Sequence, residues 1–323
     1  MSSGFARTVC AVALLGWLGV VAAHAPPAGG GSVAMEQTVA SPPGPVAEQI
    51  RERIEQWRVA HAGDAMAAAP GAAVATFYEQ NRFAPTWTRP DELDQLLAAL
   101  RGMAADGLDP QDYALDELQR RRHVLDDLQA TAQQRAQFDL LATDACFAAL
   151  LHLYRGKVDP ATLDTHWNFD PRQLDQARGL QAVREALAQG TIGELFARAR
   201  PQHPYYGQLR TALAKLREVA AQGGWPAIAD GPTLKPGSHD PRVPALRQRL
   251  QRVGHPVGDG ADDLYDPALE AALKQFQREQ YLAADGHLGK ATLAALNVPV
   301  AARIDQLRAN LERARWLLHQ LQG

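Results

Sequence analysis

The chain has 323 residues, 46% of them hydrophobic, with a formal net charge of −3 and a pI near 6.4. That length admits two or three domains with real cores. The mild acidity excludes the basic profile of a nucleic-acid-binding protein, so no nucleic-acid partner is expected.

Residues 1–25 read as a secretory signal, with Arg7 ahead of an apolar run over 9–21 and small residues Ala22, Ala23 and Ala25 at the cleavage region. The run is short for a spanning helix, so a membrane is expected to be met only through this segment while it is uncleaved. No lipidation-type sequence precedes Cys10. Past the signal, Cys146 is the only cysteine and no internal disulfide can form. Residues 26–45, rich in Ala, Gly, Pro and Ser, have the composition of a flexible linker.

From residue 46 the patterns are helical. Val46, Ile50, Ile54 and Trp57 form one stripe, and residues 62–73 are small and ambiguous. An aromatic stretch over 74–88 ends in a Pro-broken turn. Leu93, Leu96, Leu97 and Leu100 define a helix that Gly107 closes. A Leu-Asp-Pro-Gln-Asp-Tyr loop (108–113) leads to a charged helix over 115–128. A strongly apolar helix over 135–154 carries Phe138, Leu141, Ala145 and Ala149, with Gly156 as its C-cap. Turn signals and Trp167 occupy 157–172, and helices come next over 180–187, 192–199 and 206–221. No stretch alternates as a strand would. The Gly- and Pro-rich residues 223–239 separate a helical domain (46–222) from a smaller module over 240–297.

That module carries the cleanest local signals. Asp240-Pro241 and Asp266-Pro267 each suit a helix start, Asp as N-cap and Pro as first residue. Val243, Leu246, Leu250 and Val253 form one stripe before Gly254; Leu269, Ala272, Leu273 and Phe276 form a second. Asp285-Gly286 marks a turn, and a third short helix holds Leu293 and Leu296. Beyond it, Ile304, Leu307, Leu311, Ala314 and Leu318 line a narrow seam on a basic helix that needs a packing partner.

Paired Asp-Pro starts, Leu269-x-x-Ala-Leu-x-x-Phe-Gln277 and Asp285-Gly-x-x-Gly-x-x-Thr292 resemble the bacterial peptidoglycan-binding domain. Pro244 departs from that pattern and is expected to delay the first helix. The flanking segments over 77–88, 107–113, 154–160, 224–226, 231–237 and 310–317 resemble the helical scaffold of large periplasmic L,D-transpeptidases. The resemblance implies a mainly α protein: a helical scaffold, a three-helix peptidoglycan-binding domain and a linker helix over 298–323. It further implies the periplasm as location and peptidoglycan as partner, with no cofactor. Family members cross-link stem peptides through a cysteine acyl-enzyme, with a His base, in a β-rich domain beyond the scaffold. Their Ser-x-Gly-Cys-x-Arg motif does not occur here. The expectation is a non-catalytic, wall-binding portion of such an enzyme; the alternatives are a truncated or incompletely sequenced active enzyme and a helical adaptor that docks one.

The chemistry of individual residues agrees with a non-catalytic role. Cys146 lies in an apolar helix with His152 on another face, the setting of a packed thiol rather than a nucleophile. The ten histidines show no metal-ligand spacing, so neither a metal nor a catalytic residue is assigned. A glycopeptide calls for aromatic faces, amides and charges. Tyr265, Gln277, Tyr281, Asp285, His287 and Lys290, at the loop ends of the module, are the candidate ligand contacts; each has a structural role as its alternative. His255 is either a ligand contact or a solvated loop residue. The arginines Arg303, Arg308, Arg313 and Arg315 either meet an anionic polymer or form a solvated face.

Overall fold

A computed structural model describes residues 44–61, 68–163, 169, 172–258 and 262–321. The signal at 1–25, linker residues 26–43 and Trp167 lie outside the described residues. The chain is mainly α, with twelve α-helices and no strands among the described residues. It divides into two compact units, one of residues 44–104 and 109–201, the other of 105–108 and 202 onward.

The first unit holds α1 (Pro45–Ala60), α2 (Ala68–Gln80), α3 (Pro90–Gly102), α4 (Leu115–Arg121), α5 (Ala132–Arg155), α6 (Gln176–Gln189) and α7 (Ile192–Ala199). The expected helix over 115–128 is shorter, because α4 gives way to a 3₁₀ turn at Arg122–Leu125. Helix α5 is the centre, packed by α1, α2, α3, α4 and α7. A capping box, Thr131 with Gln134, starts it, satisfying two backbone donors reciprocally. It is long and apolar enough to cross a membrane, yet half of that stretch is packed inside the unit, as for a core helix.

The aromatic stretch is pinned to α5 through one buried carboxylate. Asp139 accepts from the Tyr78 hydroxyl, from Thr86 N–H at 2.9 Å and from Trp87 N–H at 2.8 Å. Trp87 Nε1 donates to Thr143 Oγ1 at 2.9 Å, one turn further along α5. Arg82 and Phe83 adopt positive φ (53° and 59°), which reverses the chain so that Trp87 can enter the core. Burial pushes the Asp139 carboxyl up from its ordinary value, and the Tyr78, Thr86 and Trp87 donors pull it back.

The second unit holds α8 (Pro204–Ala221), α9 (Val243–Arg252), α10 (Pro267–Glu279), α11 (Lys290–Leu296) and α12 (Val300–Leu317). By packing, the chain divides before α8, so the Gly- and Pro-rich segment lies inside the second unit. Tyr206, Leu209 and Leu213 of α8 form one cluster with Leu311, Ala314 and Leu318 at the end of the chain's last helices. The seam on α12 therefore has its partner in α8. The expected linker is also part of a core. Ile228 and Leu234 pack with α9, α10 and α11. Leu234 pairs with Leu288 as an isolated antiparallel bridge, and Ile228 exchanges two 2.8 Å hydrogen bonds with the Asn297 side chain.

Asp240 does not cap α9. Its carboxylate instead takes the Arg242 guanidinium and backbone N–H, and the helix starts at Val243 with Pro244 in the first turn. Pro there loses no hydrogen bond, so the delayed start is its consequence. Asp266 does cap α10, accepting from Leu269 N–H at 2.8 Å.

Candidate functional site

The loop between α10 and α11 is held from beneath by a single amide. Gln277 is 1% exposed. Its Oε1 accepts from Gly286 N–H at 2.9 Å. Its Nε2 shares two hydrogens among Asp285 Oδ1 (2.9 Å), His287 O (3.0 Å) and Thr292 Oγ1 (3.1 Å). The Gln, Asp-Gly and Thr of the sequence motif are thus one hydrogen-bond network. Tyr265 completes it, donating from its hydroxyl to Gly286 O at 2.6 Å.

The sequence pattern places Tyr265 and Gln277 at a ligand surface, and their geometry corrects that. Both are buried and their polar atoms are engaged inside the module, so they shape the loop and offer nothing outward. His255 is buried as well, edge-on to Phe276 with Nε2 3.4 Å from Glu279, neither a solvated loop residue nor a surface contact. The remaining four residues lie on the outside of the same loop. Asp285 accepts from His287 N–H at 2.8 Å, and these donors hold its carboxyl below the usual range, His287 first and Gln277 next. His287 is partly exposed with Nδ1 3.7 Å from Asp285, and Lys290 is exposed at the start of α11.

Tyr281 is 98% exposed and sits at φ 55°. Its ring therefore has no structural role in the core. A left-handed conformation costs a non-glycine residue about 1 kcal/mol, and Gly or Asn would end α10 with less strain. Its ring returns none of that cost through burial.

The basic run on α12 separates into different roles. Arg315 is 1% exposed, donating to Asp106 O and the Tyr206 hydroxyl at 2.9 Å each and pairing with Glu312, so it is internal and not part of a solvated face. Arg308 Nε donates to Gly107 O at 3.0 Å, and Arg313 pairs with Asn310. Arg303 binds Gln280 Oε1 at 2.8 Å.

Cys146 is fully buried and burial pushes its thiol up to about 12, which suppresses the nucleophilic thiolate. Among the described residues no three His, Cys, Asp or Glu side chains are grouped to hold a metal ion.

These features define a mainly α chain in two units, the second containing a three-helix module whose outer loop is held by buried hydrogen bonds. Residues 72–213 match the family described as "Scaffold domain", and residues 239–296 match the "Putative peptidoglycan binding domain". The chain thus carries a scaffold domain and a peptidoglycan-binding domain; the latter supports peptidoglycan as a partner and a cell-wall-associated or exported protein. No curated protein matches the chain.

Proposed function

We propose that this chain is the wall-holding portion of a periplasmic L,D-transpeptidase, binding peptidoglycan without itself forming cross-links. The observation that carries this reading is the succession of a scaffold domain and a peptidoglycan-binding domain in one polypeptide. In this reading the Tyr281 ring stacks on a sugar face of the glycan strand. His287 and Lys290 reach the polar groups beside it, and the buried Gln277 amide keeps the loop rigid so that little order is lost on binding. Cys146, sealed in α5, takes no part in chemistry.

Two assays test it. The full chain should pellet with purified sacculi, and remaining in the supernatant at moderate salt would remove the binding role. Incubated with tetrapeptide donor and sacculi, it should leave the cross-link content unchanged. New cross-links between stem peptides would overturn the non-catalytic assignment.

A further inference from the structure

Around the C-terminal end of α11 lies a group of cations that the motif network does not use. Arg249 is 2% exposed, and its guanidinium carbon stands 3.7 Å from the centre of the Trp225 ring. Its Nε donates to Leu296 O at 2.8 Å, while Nη1 is buried without a hydrogen-bond partner. Trp225 Nε1 donates to Val298 O at 2.9 Å, which fixes the ring under the guanidinium. Arg303 reaches the same helix end, donating to Ala295 O at 3.4 Å and to Gln280 Oε1 at 2.8 Å.

Every one of these acceptors is neutral. Among the described residues neither arginine forms an ion pair with a carboxylate. Capping α11 explains part of the arrangement, since a helix C-terminus carries about half a negative charge. Two full positive charges exceed that. Burial and the nearby charge of Arg303 together lower the Arg249 pKa to about 10, the mark of a cation lacking its counter-charge. A buried charge left unpaired is costly, and an anion supplied from outside would offset that cost.

Two features say which anion. Arg303 is partly exposed, and its Nη1 donates to the Gln306 amide oxygen at 3.1 Å, so the fork holds only neutral acceptors that a carboxylate can replace with a stronger charge-assisted bond. The Gln280 side chain it holds is the chain neighbour of Tyr281, whose ring is wholly exposed. In the wall-binding reading proposed above, a glycan strand stacked on Tyr281 presents its peptide branches on this side. We propose that Arg303, backed by Arg249 stacked on Trp225, binds a carboxylate of the peptidoglycan stem peptide. This rests on the wall-binding role proposed above and names the group it recognises.

The test compares full-chain wild type, Arg303→Gln and Arg303→Lys by co-sedimentation with three preparations of sacculi. These are intact, freed of phosphate polymers by hydrofluoric acid, and stripped of stem peptides by an amidase. Arg303→Gln should bind intact sacculi about tenfold more weakly, the scale of one charge-assisted contact. Arg303→Lys should recover part of the loss, and all three chains should melt within a few degrees of one another. Acid treatment should change nothing, and peptide stripping should bring wild type down to the level of Arg303→Gln. Equal binding of wild type and both variants to intact sacculi would overturn the carboxylate site and leave wall binding standing. Loss of wild-type binding after acid treatment would overturn it in favour of phosphate. Wild type that fails to pellet at all would overturn the wall-binding role and this site with it.

Discussion

Asp139 shows how one buried carboxylate organises the first unit. Both of its oxygens receive donors: Tyr78 and Thr86 at one, Thr86 and Trp87 at the other. Asp139→Asn would set an amide N–H₂ against backbone N–H groups, leaving buried donors unsatisfied. It should destabilise the unit by about 3 kcal/mol, read as a lower denaturant midpoint; an unchanged midpoint would contradict the account. Asp285 makes the opposite kind of contribution. Its folded pKa lies below its unfolded one, so its stabilising effect is fully present above pH about 4 and is lost as pH falls through the folded value. The stability gap between wild type and Asp285→Asn should therefore close as the solution is acidified below that point. A gap that stays constant across acid unfolding curves would show that the charge is not involved. The aromatic stretch is visible in the sequence, but its anchor is not. Asp139 sits in an otherwise apolar helical pattern, and nothing local says that a polar residue there faces inward.

Helices are the legible elements, because 3.6-residue periodicity and N-cap chemistry are local signals. What escapes is pairing across long separations. Residues 223–239 read as a linker since Ile228 and Leu234 are isolated apolar positions among Pro and Gly, with no period to betray burial. The seam on α12 is evident, but its partner α8 lies far back in the chain and its own periodicity groups it with the preceding helices. The turn at Gly107 supports this pair. It adopts φ 75°, and an added Cβ would stand 3.2 Å from Arg308 Cα and 3.3 Å from Leu311 Cδ1. Gly107→Ala combines backbone strain with a clash against α12, so it should cost about 2 kcal/mol. Hydrogen exchange should report it as faster exchange in α12; unaltered α12 protection would mean that the turn does not hold the helix.

At the scale of the whole molecule, the peptidoglycan-binding motif turns out to be mainly a device for rigidity. Gln277, Gly286 and Thr292 are spent on one another, and Tyr265 closes the network. Sequence reasoning groups these residues correctly around one loop but cannot tell inward from outward, since motif spacing encodes proximity and not burial. Of the four residues that face out, Tyr281 is the one held in a strained conformation, with its ring unused by the fold. That pairing of strain with exposure gives the central claim a direct test. Replacing Tyr281 by Gly relieves the left-handed strain and removes no buried surface, so the full chain should melt at the same or a higher temperature. Its affinity for purified sacculi should nevertheless fall about five- to tenfold, the worth of one aromatic stacking contact. Wild-type affinity in the Tyr281→Gly chain would contradict the account.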